Sequence, residues 1–159
     1  MEPQQHILAI NGGSSSVKFA LFDANDPSKK LFAGKVDASD AVEQILQLLQ
    51  VHSIDAHIVA IGHRVVSGGQ RHSEHAMIND ELLSTLEDIE VFDPDHLPGE
   101  ISLINDCRAK FPDVPQVACF DTAFFKDLPR VAQILPIPRS ISSKASGATD
   151  STACRTNIS

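Results

Sequence analysis

Residues 7–23 read ILAINGGSSSVKFALFD, and this stretch decides the fold. Residues 7–10 form an apolar run, and apolar side chains alternate along residues 17–22, so the pattern predicts two β-strands. The joint, residues 11–16, is NGGSSS. Glycines let the backbone take left-handed conformations and approach a ligand, while successive N–H groups and hydroxyls can converge on phosphate oxygens. The stretch therefore predicts a phosphate-binding hairpin, with an ordinary tight turn as the alternative.

Composition argues against several classes of function. The 159-residue chain carries a formal net charge of -8, which is unfavourable for a nucleic-acid-binding surface. No apolar run is long enough for a membrane span, and residues 1–5 lack the pattern of a secretory leader. The three cysteines show no C-x-x-C spacing, so neither a disulfide framework nor a structural zinc site is indicated. We expect a cytoplasmic protein that contacts neither nucleic acid nor membrane.

The next segments extend the hairpin into an α/β pattern. Residues 30–36 predict a third strand, and Ser39 or Asp40 can cap a helix before a fourth strand at residues 56–61. The apolar stripe of that helix is Val42, Ile45, Leu46 and Leu49. Three antiparallel strands, a helix and a further strand are typical of a ribonuclease H-like half-domain, a mixed sheet flanked by helices. By analogy, such a fold binds nucleotide phosphates on its first hairpin.

Two further helices and a central strand are predicted in the second half. Asn79 can cap a helix whose apolar face holds Leu82, Leu86 and Ile89. A second helix begins near Leu97 and must end before Pro112. Its core positions are Leu97, Ile101, Ile104 and Phe111. Residues 115–120 contain a continuous apolar run, which predicts a central strand covered on both faces.

Two charged residues stand at strand ends in this pattern. Residues 62–69 read GHRVVSGG, where Arg64 could bind a carboxylate or phosphate through both arms of its guanidinium group. The alternative is a surface arginine beside a turn, and the neighbouring His63 is expected to be packed or hydrogen-bonded. Asp121 follows the predicted central strand, at the sheet edge where open α/β sheets bind ligands. Its alternative role is to cap the next turn.

Three segments together resemble the acetate kinase family. They are INGGSSSVKF at residues 10–19, GHRVVSGG at residues 62–69 and PQVACFDTAF at residues 115–124. The resemblance covers approximately residues 5–139, the amino-terminal part of a longer kinase, and implies the actin-like ATPase superfamily. We therefore expect an amino-terminal kinase domain at residues 1–139.

The resemblance implies reversible phosphoryl transfer between ATP and acetate, giving acetyl phosphate and ADP, with Mg²⁺ as cofactor. The implied site residues are Asn11 for magnesium, Gly12, Gly13, Ser14, Ser16 and Lys18 for the nucleotide phosphates, Arg64, Val66 and His96 for the acyl substrate, and Asp121 for catalysis. The chain departs from the usual family pattern at Ser67, Leu97 and Phe125, where many members have His, Asn and His.

The last segment, residues 140–159, departs completely from the family pattern. The third base of each codon for residues 147–153, read together with the first two bases of the next codon, can encode Arg-Tyr-Gly-Phe-His-Gly. This peptide is part of the family sequence expected after residue 139. We therefore expect an out-of-frame tail, with a disordered Ser/Thr-rich tail as the alternative. Sequencing the DNA tests this hypothesis, because codons that cannot spell the motif in the shifted frame would refute it.

The resemblance leaves two functions open. One is a truncated acetate kinase domain that is weakly active or inactive alone, since domain closure normally excludes water and completes the charged site. The other is a noncatalytic module that binds phosphate or nucleotide, or that associates with another chain. The expected partners are a small acyl substrate and a nucleotide, and a homodimer is a further expectation.

Overall fold

The computed structural model describes residues 4–52, 54, 57–69 and 74–125. Short 3-10 turns, Glu90–Phe92 and Asp121–Phe125, follow the second helix and the last strand. The helices and strands, in chain order, are β1 (Gln5–Gly12), β2 (Ser16–Asp23), β3 (Lys30–Asp37), α1 (Ala41–Val51), β4 (His57–Val65), β5 (Ala76–Met77), α2 (Asp80–Ile89), α3 (Leu97–Lys110) and β6 (Gln116–Phe120). The predicted domain end at residue 139 and the tail from residue 140 lie outside the described residues.

The strands form one mixed sheet of six strands in the order β3-β2-β1-β4-β6-β5. The first three strands form an antiparallel meander, whereas β4 pairs in parallel with both β1 and β6. Parallel neighbours require crossover connections, and α1 supplies the connection from the meander to β4. The predicted mixed sheet is confirmed. The two-residue strand β5, antiparallel to β6, was not predicted.

The hairpin between β1 and β2 closes through a short loop, residues 13–15. The backbone N–H of Gly13 donates to the carbonyl oxygen of Ser16 at 2.9 Å. A Cβ atom at Gly13 would lie only 2.9 Å from that oxygen, so this close approach requires glycine. In the described chain, positive φ angles occur at Asp40 and Gly69. Gly12 and Gly13 therefore do not use the left-handed conformations open to glycine, and the close approach of the Ser16 oxygen explains the glycine at position 13.

One face of the sheet forms the core. All three helices pack on it, and the described part of the opposite face is half-buried or exposed. The expectation that β6 is covered on both faces is thus not met within the described residues. The buried strand residues of the core face include Leu8, Ile10, Val17, Phe19, Leu21, Val36, Ile58, Ile61, Val65, Ala118 and Phe120.

The three helices begin or end where predicted, and one of the two predicted side-chain caps is present. The side chain of Asn79 caps α2 by accepting a hydrogen bond from the N–H of Leu82 at 2.8 Å, as predicted. Helix α3 ends at Lys110, before Pro112, also as predicted. Asp40 precedes α1, but its side chain makes no capping hydrogen bond and its φ is 52°. The predicted side-chain cap of α1 is therefore wrong.

Two glycines provide a matched test of this packing. Gly99 lies in α3 with open space where a Cβ would stand, whereas the Cβ of alanine at Gly13 would collide with backbone. Gly99→Ala should raise the free energy of unfolding by up to about 1 kcal/mol, the helix penalty of glycine. Gly13→Ala should lower it by about 1–3 kcal/mol. Urea unfolding measures both, and equal effects of the two substitutions would contradict this account of the hairpin.

Candidate functional site

The carboxyl ends of three neighbouring parallel strands bring Asn11, Arg64 and Asp121 together. Asn11 on β1 is the register partner of Arg64 on β4, and Asp121 directly follows β6. Arg64 Nε lies 3.0 and 3.1 Å from the two carboxylate oxygens of Asp121, and Nη2 lies 2.5 Å from Oδ2. Arg64 Nη1 donates to Asn11 Oδ1 at 3.1 Å. We call these three residues the Arg64 cluster.

The Arg64 cluster is open to solvent. The side chains of Arg64 and Asp121 are 47% and 31% exposed. A bidentate pair of guanidinium and carboxylate has good geometry, but an exposed ion pair contributes only about 0–1 kcal/mol to stability. A carboxylate or phosphate from solution could therefore replace Asp121 at the guanidinium group with little loss of stability.

The hairpin borders the Arg64 cluster on the β1 side. Lys18 on β2 is the register partner of Asn11, so the two side chains share one face of the sheet. Ser14 is exposed in the loop, and Ser16 at the start of β2 is half-buried. The structure thus positions Lys18 and the hairpin loop beside the Arg64 cluster. Gly12, the last residue of β1, instead faces α3 closely, since its Cβ would lie 3.2 Å from Leu103 Cδ2.

Of the other two residues predicted to bind the acyl substrate, Val66 is close to Arg64 in sequence, whereas His96 precedes α3. Val66 directly follows β4, two residues from Arg64, and its backbone N–H donates to Glu100 Oε2 at 3.2 Å. His96 precedes α3, and its side chain is paired with Asp93, with 4.0 Å between Nδ1 and Oδ1. Within the described chain, the contacts of the His96 side chain are therefore made outside the Arg64 cluster.

Glu100 is the residue of this region that sequence reasoning missed. Its side chain lies in the first turn of α3 and is only 5% exposed. Burial raises its pKa from 4.5 to about 7, although the hydrogen bond from Val66 and the charge of Arg64 oppose the shift. A glutamate in a first helical turn usually faces solvent. The available signal was its spacing, because position 100 lies on the same helical stripe as Leu97 and Ile104.

A second buried polar pair lies on the core face of the sheet, opposite to the face that carries the Arg64 side chain. His63 Nε2 and Gln116 Oε1 are 2.8 Å apart, joining β4 to β6. Burial lowers the pKa of His63, which the hydrogen bond to Gln116 partly offsets. This agrees with the expectation that His63 is packed or hydrogen-bonded. Within the described ranges, no three His, Cys, Asp or Glu side chains are grouped as metal ligands. No described helix has the length and apolar character that a membrane span requires.

Comparison with known proteins identifies the family. A sequence profile described as "Acetokinase family" matches residues 29–147. The chain belongs to this family. The acetate kinase of Clostridium botulinum is 36% identical over 162 residues, covering 83% of this chain and 41% of the relative. This chain therefore spans less than half the length of that relative.

Solved structures of the family have the same fold. A propionate kinase from Francisella tularensis is 31% identical with a TM-score of 0.68. The acetate kinase of Porphyromonas gingivalis is 26% identical with a TM-score of 0.74. Each comparison covers 89% of this chain and 43% of the solved chain. The predicted α/β fold of the actin-like ATPase type is thus confirmed, as is the family resemblance.

The raised pKa of Glu100 predicts how stability depends on pH. Between pH 4.5 and about 7 the folded state binds more protons than the unfolded state, so the free energy of unfolding falls as pH rises. Glu100→Gln removes the titrating carboxyl group and with it this pH dependence. Its side-chain amide oxygen can still accept the hydrogen bond from the N–H of Val66. The variant should be more stable than the parent by up to about 3 kcal/mol at alkaline pH, with no gain below about pH 4.5.

Urea unfolding across this pH range measures the difference, with Glu87→Gln as control. Glu87 is an exposed glutamate of α2, so its substitution changes the net charge equally without changing a buried group. Parallel stability curves for the parent and Glu100→Gln would contradict the assignment.

Proposed function

We propose that this chain carries the acyl-binding and phosphate-binding part of an acetate kinase-like phosphotransferase. The observation that carries the proposal is the Arg64 cluster at the ends of β1, β4 and β6, with the hairpin loop and Lys18 beside it. A carboxylate-binding guanidinium and a phosphate-binding loop at one sheet edge fit a reaction between a short carboxylic acid and a nucleoside triphosphate. The family membership of the chain supports the same chemistry.

Each residue has a role that follows from its chemistry. Arg64 holds the substrate carboxylate in place of Asp121, and Val66 lines one side of the acyl group. His96 neutralises charge on the moving phosphoryl group after separating from Asp93. Asp121, released from Arg64, would help to position the nucleophile or the metal ion. Phosphoryl transfer depends mainly on such positioning and charge stabilisation. These few groups would therefore be enough to bind and orient the acyl substrate.

The phosphates of the nucleotide are assigned to the hairpin. The N–H of Gly13 donates to the Ser16 carbonyl, so the loop N–H groups that follow it and the hydroxyls of Ser14 and Ser16 are the groups suited to phosphate oxygens. Lys18 supplies a positive charge on the same face as Asn11. In a chain with a net charge of -8, attraction for ATP has to come from such a local group of donors.

The oxygens of the Arg64 cluster fit Mg²⁺. Asn11 Oδ1 and the Asp121 carboxylate are hard oxygen ligands, and Mg²⁺ is commonly held by one or two such ligands together with substrate phosphates. The hydroxyl of Thr122, next to Asp121, is buried without a hydrogen-bond partner among the described residues, which leaves a further polar atom near the site. When bound, the ion would neutralise charge on the phosphates. Asn11 and Asp121 are the residues that would hold it.

The exposure of the site sets its expected activity. Arg64 is 47% exposed, so water reaches the guanidinium group that would bind the substrate. Efficient phosphoryl transfer needs a site that excludes water, which kinases achieve by closing one domain over another. We therefore propose that the chain binds acetate and nucleotide weakly and transfers phosphate slowly or not at all when alone.

A second candidate function is a noncatalytic binding module that associates with another chain. Val91 and Phe92 are adjacent apolar residues that are 74% and 71% exposed, and they lie shortly before α3. Such a pair favours self-association or a protein partner. Sedimentation at several protein concentrations tests this function, and an unchanged monomer at every concentration would count against it.

The leading proposal predicts that acetate binding depends on Arg64. Arg64→Ala should weaken binding about tenfold or more, because a hydrogen-bonded charged contact contributes about 1.5–3 kcal/mol. The chain offers a matched control, since Arg108 and Asp80 form a second exposed pair with 2.7 Å between Nη2 and Oδ1. Arg108→Ala should bind acetate as the parent does. Nuclear magnetic resonance titration with acetate measures the affinities, and equal weakening by both substitutions would contradict the proposal.

A coupled assay with magnesium, ATP and acetate tests catalysis. We expect little or no acetyl phosphate from the parent chain. Asp121→Asn and its control Asp80→Asn are run beside the parent, since both remove one negative charge from an arginine–aspartate pair. Clear turnover that Asp121→Asn abolishes and Asp80→Asn retains would show that the expected inactivity is wrong, while supporting the assigned site.

A further inference from the structure

Glu100 connects two parts of the site that are distant in sequence. Its Oε2 accepts a hydrogen bond from the N–H of Val66, directly after β4. On its other side, its Cγ would lie 4.0 Å from a Cβ at Gly12, at the end of β1. One buried side chain is therefore hydrogen-bonded to the segment that carries Arg64 and lies close to the end of the strand that leads into the hairpin loop.

The charge of Glu100 acts on the same site. The charged groups that influence this carboxyl are Arg64, which favours its ionised form, and Asp93 and Asp121, which oppose that form. His96 lies one helical turn earlier, since its carbonyl oxygen accepts from the N–H of Glu100. By reciprocity, an ionised Glu100 weakens the attraction of Arg64 for any added anion, and a protonated Glu100 restores it.

We propose that Glu100 is a positioning residue whose protonation controls how strongly Arg64 holds an anion. The inference rests on the proposed anion-binding role of Arg64 and assigns that site a regulator. In its ionised form Glu100 accepts the Val66 N–H strongly and interacts electrostatically with the guanidinium group of Arg64. In its protonated form it loses its negative charge while it still fills the space between Gly12 and Val66. Anion binding at Arg64 is therefore favoured on the acidic side of neutrality.

The amide signal of Val66 reports the protonation of Glu100 directly. In the full 159-residue chain labelled with ¹⁵N, this signal should shift with a midpoint near pH 7, because the pKa of its hydrogen-bond acceptor is raised to about 7. Glu100→Gln accepts the same hydrogen bond without titrating, so the shift should disappear. Glu87→Gln should keep it. A Val66 signal that does not change near pH 7 in the parent chain would overturn the proposal.

Sulfate is the appropriate anion probe, because its charge is constant over the pH range of interest. The parent should bind sulfate about three- to tenfold more weakly at about pH 8 than at about pH 6. This is the effect expected from the negative charge of ionised Glu100 when solvent and salt partly screen it. Glu100→Gln should bind at both pH values about as tightly as the parent does in acid. The variant differs from the parent only at position 100, so the difference between the two binding profiles belongs to Glu100.

The outcomes separate this inference from the proposed function. If Arg64→Ala binds sulfate as tightly as the parent, the anion site is refuted, whereas the Val66 signal can still titrate. If Arg64→Ala loses sulfate binding but Glu100→Gln retains the full pH dependence of the parent, the role of Glu100 is refuted and the anion site stands. Glu100→Ala adds a comparison, since it should lose the pH dependence together with the Val66 contact.

Discussion

The parallel pairing of β1, β4 and β6 is the constraint on which the rest of the structure depends. It aligns three strand ends at one edge, so that side chains 53 and 57 positions apart in sequence become hydrogen-bonded neighbours. The crossovers that parallel pairing requires pack on one face, where they bury the strand residues of the core. The same pairing therefore determines both the core and the position of the Arg64 cluster.

Charge balance explains the arrangement around Arg64. The guanidinium group of Arg64 is hydrogen-bonded to the Asp121 carboxylate and to the Asn11 amide oxygen. The carboxyl group of Glu100, in the first turn of α3, interacts with Arg64 electrostatically. The exposed carboxylate of Asp121 can exchange with another anion at low cost. The buried carboxyl cannot move away, so it responds to charge by gaining or losing a proton. The two acidic groups thus act on the same arginine in different ways.

Local sequence signals predicted much of the fold. Three local features gave predictions that the structure confirms: the apolar pattern of β1 and β2, the Asn79 cap of α2, and the end of α3 before Pro112. The burial of Glu100 could not be predicted from helical spacing alone, because it arises where α3 packs against the end of β1. The proximity of Asn11, Arg64 and Asp121 depends on the parallel register of β1, β4 and β6, which local propensity does not determine.

The exposure of Arg64 separates binding from catalysis in this chain. A guanidinium group that is 47% exposed can attract a carboxylate, but it acts in a medium of high dielectric constant where charge stabilisation is weak. Burial of the same contact would strengthen it severalfold and would also raise the cost of leaving either charge unpaired. The described fold buries the carboxyl that influences Arg64 and leaves Arg64 itself open. Its geometry is therefore suited to binding an anion, whereas strong charge stabilisation would require Arg64 to be shielded from water.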